Sequence, residues 1–505
     1  MALAKVESVS LNGLSGHAID IEVDIAEGLP SFTLLGLPDA ALSESRERVR
    51  SALLNSGLPW PHKKITISLS PAWLPKSGSH FDLPIAIGLL EAQGLISTHR
   101  CSSLISLGEL GLDGAIRPVR GVLPTLVSAL SRGVLSAIVP RANFAEAKVL
   151  PDIEVLAFSY LSEVVRYFTT GELPVMEQIS VSDSTAEPLN LLDVVGQVPA
   201  RHALEISAIG SHHLLLIGPP GTGKTMLAER LPSIMPELTD ALSLEVSAIH
   251  SVAGSLTQRG LLTRTPPFVS PHHTTTTAAM IGGGSHAVRP GAVSLAHGGV
   301  LFIDEAPECA AGVLDSLRQP LESGHVTISR SIGTVTYPAD FLLVLAANPC
   351  PCGKFNGRGR ACTCSSMQIR NYLKRFSGPL LDRIDIRTFV EAPTRAEMAS
   401  EGHGESSEIV RARVLQARLI ASDRFAEEGW KVNADIPSRE LRGKYRAERG
   451  GMSFLHAELE GQRLSARGFH KVLRVAWSIA DSKGHMRPTQ SDVEDAFALR
   501  EGTFL

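Results

Sequence analysis

No apolar run in this chain reaches the roughly 18 residues that a helix needs to cross a bilayer. Its first residues, MALAKVESVSLNG, lack the charged-then-apolar order of a signal peptide. These two absences predict a soluble, cytoplasmic protein with no membrane partner. Cysteine is scarce as well, six in 505 residues, and four of the six crowd between Cys350 and Cys364. That is no disulfide framework of a secreted protein; it reads as a local site in a reducing compartment. An excess of one charge sign is also missing. At a formal −4, bulk charge gives no hint of a polyanionic partner, so any such hint has to come from the distribution of charge along the chain.

The length exceeds what one core can organise and suggests about three domains. Residues 1–170 alternate strand-like runs (65–69, 137–139) with helical ones (40–54, 83–93, 122–131), which predicts an α/β domain. The polar, proline-punctuated text of 171–190 reads as a linker. A second α/β domain is expected over 191–392, with a parallel sheet and helices on both faces. Residues 393–505 read as a helical lid, with helices over 409–426, 454–460, 466–482 and 491–500.

The most informative stretch is 212–225, HHLLLIGPPGTGKT, where a short apolar run leads into G-x-x-x-x-G-K-[ST] and then a helix former. Gly218, Pro219, Pro220, Gly221, Thr222 and Gly223 supply a loop whose N–H groups can curl around phosphate oxygens. Lys224 can reach the β- and γ-phosphates of a nucleoside triphosphate, and the Thr225 hydroxyl can sit on Mg²⁺. The helix that begins there turns its positive end toward the same anion. A second apolar strand, GGVLFIDE, ends in two acids. Asp304 can hold Mg²⁺ through water, and Glu305 is placed to polarise an attacking water. A third, FLLVLAAN, carries Asn348 at its carboxyl end, which in a parallel sheet faces the ligand. Arg383, in GPLLDRIDIR, and Arg467, in SARGFHKVLRVAW, are ordinary surface arginines by composition, although phosphoryl transfer calls for cations from outside the phosphate loop, often from a neighbouring subunit.

The ordered set GPPGTGKT, PHHTTTTAAMIGGG, RPGAVSLAHGGVLFIDE, NPCPCG, LLDRIDI and LSARGFHKVLRVA resembles the magnesium-chelatase-like AAA+ ATPases of bacteria, and among them the ComM (YifB) family. The first-domain text SRERVRSALLNSGLPWP and ITISLSPAWLPKSGSHFDLPIAIG is similar to that family too, so the resemblance covers nearly the whole chain. It implies 218–225 as the Walker A loop, Asp304 and Glu305 as Walker B, Asn348 as sensor 1, Arg383 as an arginine finger and Arg467 as sensor 2. It also implies a homohexameric helicase that hydrolyses ATP with Mg²⁺ and drives branch migration of DNA during natural transformation. A chelatase-type ATPase that remodels a protein partner is the alternative.

Local charge bears on the DNA reading. Residues 246–303 contain no Asp or Glu while carrying Arg259, Arg264, Arg289 and five histidines, as a surface that meets phosphate would. Residues 323–339 also lack acids and read as a hairpin around Arg330-Ser331-Ile332-Gly333. In ring ATPases of the resembled type these two segments line the central pore, which makes Arg330 the candidate for gripping the DNA backbone. A solvated edge hairpin is the plainer alternative. Cys350, Cys352, Cys362 and Cys364 form C-x-C…C-x-C, a set that can satisfy tetrahedral zinc, with free or redox-active thiols as the alternative. Between and beside them Lys354, Arg358 and Arg360 make a basic loop suited to nucleic acid or to a subunit contact. Cys101 and Cys309 are expected to be buried.

The N-terminal domain further resembles the Lon-type protease fold at LPKSGSHFDLP. There the nucleophile position is taken by His80, with Ser77 and Ser79 out of register and no lysine in RPVRGVLPTL where a dyad base belongs. A scaffold without proteolysis is expected.

Overall fold

The computed structural model describes residues 2–97, 104–174, 189–256, 262, 264–284, 288–330, 333–355, 362–399 and 404–502. Arg358, Arg360, Cys101, Arg259 and most of the expected linker lie outside these residues.

The chain opens on two long antiparallel strands, β1 (Ala2–Asn12) and β2 (Ser15–Ala26), paired from Ala2↔Ile25 to Asn12↔Ser15. A two-residue turn joins them at Gly13, whose φ of +67° favours glycine. Period-two alternation buries Ile19, Ile21, Val23 and Ile25 on one face of β2, as it does Ile65, Ile67 and Leu69 in β4 (Lys64–Ser70). With β3 (Ser31–Leu35), β5 (Leu104–Ser106), β6 (Ser136–Pro140) and β7 (Glu154–Phe158), a mixed sheet of order β3-β4-β2-β1-β5-β6-β7 results. Helix α1 (Asp82–Ala92) is buried along most of its length and lies against β2. Gly88 permits the approach, since a Cβ there would sit 2.8 Å from Val23 Cγ2. The strands expected at 65–69 and 137–139 and the helices at 83–93 and 122–131 are present, the last as α2 (Val122–Leu130). The helix expected over 40–54 is two, Ala40–Ser43 and Ser45–Asn55. Glu44 is the C-cap of the first and the N-cap of the second.

The second sheet is wholly parallel. Its order is β8 (Phe268–Val269), β9 (Val300–Ile303), β10 (Leu342–Ala347), β11 (Leu214–Ile217) and β12 (Ile386–Phe389). The runs VLFI and LLVLAA are buried at every position, as strands covered on both faces must be. Helices α3 (Val198–Gly210) and α4 (Lys224–Ile234) share one core with the C-terminal helices α5 (Ser407–Arg424), α6 (Arg449–Glu460), α7 (Ala466–Lys483) and α8 (Gln490–Glu501). The mixed α/β class with a C-terminal helical region is thus what the residue pattern predicts.

Two polar junctions tie the parts together. Between the N-terminal and second units, Gly121 N–H donates to Ser251 O and the buried Ser251 hydroxyl meets Glu146. Beneath β12, Asp385 accepts from the Lys471 ammonium of α7 and from the His213 backbone N–H. Burial works against the Asp385 carboxylate, but Lys471, His212 and His213 outweigh it and hold its pKa well below the usual range. His212 and His213 are pushed down to about 4 by burial, and His213 Nδ1 accepts the Leu343 N–H, which requires the neutral ring.

A histidine whose folded pKa is depressed takes up its proton in the unfolded chain first. Stability is therefore fully present above pH 6.5 and falls as pH drops toward 4, by up to about 1.4 kcal/mol per pH unit for each of the two. Urea unfolding midpoints measured from pH 7.5 to 4.5 check this; a flat profile contradicts it.

Candidate active site and metal centre

β11 ends at Ile217 and the chain turns at once into the phosphate loop. Gly218 packs against the end of β12, where a Cβ would fall 2.3 Å from Val390 O. Gly221 and Gly223 adopt φ of +76° and +87°, and the space a Cβ would fill at Gly221 is open. Lys224 opens α4 with only 8% of its surface exposed. Its ammonium donates to Gly218 O at 2.8 Å, Pro219 O at 2.9 Å and Asn348 Oδ1 at 3.3 Å. No ion pair joins it to a carboxylate among the described residues. Burial pushes the Lys224 pKa down, and the nearby charges of Asp304 and Glu305 only partly oppose this. An enclosed cation held by carbonyl dipoles, at the amino end of a helix and beside an open glycine loop, fits a polyphosphate.

The acids follow β9. Asp304 Oδ2 accepts the Thr225 hydroxyl at 2.8 Å, so the two groups expected to hold hydrated Mg²⁺ already touch. Glu305 takes a left-handed backbone, φ +48° and ψ +39°. A glutamate held there is strained and persists only where its surroundings enforce it. Its N–H donates to Asp304 Oδ1, and its carboxylate lies 3.2 Å from His273 Nδ1. The His273 ring in turn lies on that of His272, centroids 4.1 Å apart. His273 was not among the expected site residues, although its motif, PHHTTTT, was conspicuous. Only the fold brings it to the acid.

Asn348 follows β10, and the structure thus gathers Gly218–Thr225, Asp304, Glu305 and Asn348 at the carboxyl edge of the sheet. Arg383 and Arg467 do not join them. Asp382, Arg383 and Asp385 precede β12, at the opposite edge, and a four-residue strand is about 13 Å long. Arg467, at the start of α7, pairs with Asp382 at 3.3 Å. Arg383 pairs with Glu322, donates to Pro379 O, and is held through its carbonyl by Lys471. Its Nε has no acceptor among the described residues. The two arginines are thus brought to one corner of the molecule, away from their own phosphate loop.

Arg330 ends the first strand of an antiparallel hairpin, His325–Arg330 with Gly333–Pro338. The hairpin packs on the acid-free insert: a Cβ on Gly282 would meet Ile328 Cδ1 at 2.7 Å, and one on Gly283 the Arg330 guanidinium at 3.3 Å. Lys354 is exposed. Cys309 is buried and free.

The four clustered thiols converge, with all sulfurs within 4.8 Å of one another. Cys350 Sγ is 3.3 Å from Cys352 Sγ and 3.6 Å from Cys362 Sγ. Tetrahedral zinc with bonds of about 2.3 Å puts its sulfurs about 3.8 Å apart, so the set fits that ion. The thiols oppose one another: Cys352 is pulled down to about 6, first by a main-chain hydrogen bond from Lys354 and then by Cys350, while burial and the neighbouring thiols push Cys362 up to about 12 and raise Cys364. In the N-terminal domain, His80 is held neutral by burial, with its pKa pushed down to about 4, and its Nε2 meets Val9 O at 3.1 Å. The buried Lys76 ammonium donates to Pro71 O and the Ser79 hydroxyl to Glu109. No serine–lysine pair occurs among the described hydrogen bonds.

A phosphate loop, an acidic pair and an asparagine on neighbouring ends of a parallel sheet, with a helical domain behind, mark a P-loop ATPase of the AAA+ class. Comparison with known proteins narrows this. Three family profiles match: "Subunit ChlI of Mg-chelatase" over 21–143, "Magnesium chelatase, subunit ChlI" over 190–398, and "Magnesium chelatase, subunit ChlI C-terminal" over 404–500. An uncharacterized protein of Mycobacterium tuberculosis is 46% identical over 502 residues, 99% of each chain. The competence protein ComM of Haemophilus influenzae is 39% identical over 507 residues, 99% of this chain and 98% of its own. The uncharacterized protein YifB of Escherichia coli is 39% identical over 503, covering 99% and 97%. The chain belongs to the ComM/YifB family of magnesium-chelatase-like AAA+ ATPases.

Lys224→Met should remove nucleotide-induced stabilisation. The unmodified chain with ATP and Mg²⁺ at a hundredfold excess over Kd gains about 2.7 kcal/mol, read as a rise in melting temperature that the variant lacks. An equal rise in both would show that nucleotide binds elsewhere.

Proposed function

We propose that this chain is an ATP-driven DNA translocase that works as a homohexamer and promotes branch migration of DNA taken up in competence. One observation carries the oligomeric reading: Arg383 and Arg467 stand at the sheet edge opposite their own phosphate loop, a placement that suits cations supplied to the phosphoryl group of a neighbouring subunit. The similarity to the competence protein ComM of Haemophilus influenzae supports the competence setting. The hairpin carrying Arg330, packed on an insert without acids, supports a polyanionic track.

Bound ATP and Mg²⁺ supply the phosphoanhydride whose cleavage drives the cycle. Lys224 and the loop N–H groups neutralise and orient the phosphates, while Thr225 and Asp304 hold the metal. Glu305 accepts a proton from the attacking water and Asn348 orients it. Arg383 stabilises charge on the phosphates of the adjacent subunit, and Arg467, bound to the same corner through Asp382, acts across the same interface. Arg330 and Lys354, with Arg358 and Arg360, touch the DNA backbone. Cys350, Cys352, Cys362 and Cys364 hold one zinc ion.

Forked or four-way DNA should stimulate ATP hydrolysis. Glu305→Gln should cut the rate by about 10²–10⁴ while leaving nucleotide bound, and stop branch migration with it. Migration that persists without hydrolysis sinks the motor, and hydrolysis indifferent to every DNA favours remodelling of a protein partner. Mixing Lys224→Ala with Arg383→Ala, each inactive alone, should restore hydrolysis at about one interface in four, because random assembly pairs an intact loop with an intact arginine that often. No recovery on mixing rules out completion between subunits.

Arg330→Ala should weaken binding of all DNA sequences alike and lower the slope of log affinity against log salt by about one for each contacting subunit. Titrations at several salt concentrations read this out. An unchanged slope removes Arg330 from the track.

A further inference from the structure

Asn348 and the first cluster cysteine, Cys350, are separated by one residue. The main-chain path therefore runs from the end of β10 directly into the thiol cluster, and further contacts close a circuit around it. Cys350 is fully buried, and its carbonyl accepts the Gly353 N–H at 2.9 Å. Gly353, itself buried with φ of +72°, presses on the phosphate loop so closely that a Cβ would stand 2.6 Å from Pro220 Cδ and 3.9 Å from Asn348 Cγ. After Cys364, Ser365 caps the helix Ser366–Leu373 through a reciprocal bond with Gln368. That helix carries the buried Tyr372 back to the Asn348 main chain. Two residues beyond the helix end, Arg375 donates to Pro307 O and pairs with Glu308, just past the acidic pair.

We propose that metal bound by Cys350, Cys352, Cys362 and Cys364 acts as a positioning element for hydrolysis: it locks Asn348 against Lys224 and Gly353 against Pro220. The proposal rests on the ATPase reading above and adds a dependence of that site on zinc. The chemistry of the donors supports the ion. Four sulfurs at near-tetrahedral spacing, one of them completely enclosed, need a common cation to share the space as thiolates, and zinc is the borderline-soft ion that accepts four. The mechanics follow from the circuit. Zinc pins Cys350 to Cys364 and so joins the strand that ends in Asn348 to the helix that ends near Tyr372. Without it the two segments are held by the chain between them and by the bond of Tyr372 to the Asn348 main chain. Closing such a span by a cross-link removes freedom from the chain, as a structural disulfide over the same length does. A side chain held loosely still lets nucleotide bind through Lys224 and the loop N–H groups, but it no longer presents its carboxamide at a fixed place. The effect should fall on turnover and spare affinity.

The full-length protein tests this with three variants. Metal analysis of the unmodified chain should give one zinc per subunit, and Cys352→Ser should abolish it. With forked DNA present, Cys352→Ser should lower kcat about tenfold or more while the affinity for a fluorescent ATP analogue changes by less than about threefold. Asn348→Ala should lower kcat to a similar degree with zinc retained. Combining the two should add little, since both remove the same orientation. Gly353→Ala leaves all four thiols in place and should keep zinc, yet lower kcat through the contact with Pro220. It carries the test if the cysteine variant fails to assemble. Full turnover in zinc-free protein, additive losses in the double variant, or a Gly353→Ala chain with unchanged kcat would each overturn the proposal. Failure of the ATPase reading itself is distinct, because it would appear as no hydrolysis by the unmodified, zinc-loaded protein with any DNA.

Discussion

An ammonium group enclosed without a carboxylate is the interaction around which this protein is arranged. Lys224 is driven below its ordinary pKa by burial, and it is tolerated because two loop carbonyls and Asn348 surround it. Everything near it follows from keeping that charge available to an anion. The acids stay one strand away, the glycines leave the loop open, and the helix dipole adds to the positive potential. The parallel sheet makes this possible, since strands distant in sequence end side by side at one edge. Gly218, Asp304 and Asn348 come together only because β11, β9 and β10 run in the same direction.

Much of this was legible in the residues. The phosphate loop announces itself locally, because the spacing of its glycines, lysine and threonine is the requirement of the ligand. Continuous apolar runs ending in DE or N mark the buried strands with little ambiguity. The amino-terminal ribbon was harder to read. β1 buries Ser8 and Ser10 alongside Val6 and Val9, so its alternation is blurred, and Ser8 is accommodated only by donating to Ser106 O, 98 residues away. The contact of His273 with Glu305 was invisible for a related reason. It depends on a left-handed backbone at the acid and on the course of the insert, and neither is written in composition. The grouping of Arg467 with Arg383 belongs to the same kind. It is fixed by where α7 docks under the sheet, through Lys471 and Asp385.

That docking has a chemical character of its own. Asp385 sits among Lys471, His212 and His213 in a nearly closed space, and its pKa is held well below the usual carboxylate range. Buried ion pairs contribute modest net stability and a strong preference for one geometry. Here the geometry they select is that of the segment bearing Arg383, since Lys471 grips both the Arg383 carbonyl and the Asp385 carboxylate. The helical domain therefore reaches the corner that carries Arg383 and Arg467, and orientation of that corner is shared between two domains of the same chain.

The small turn at Gly13 gives the architecture a last consequence. A Cβ there would collide with Val335 of the hairpin at 2.8 Å and lie 3.9 Å from Tyr337, so the tip of the amino-terminal ribbon rests on the second strand of the hairpin that carries Arg330. A hairpin pressed this closely cannot swing alone. Any displacement of the hairpin is either resisted by the first domain or passed along β1 and β2 into the seven-stranded sheet, so the amino-terminal domain is mechanically coupled to the segment that bears Arg330.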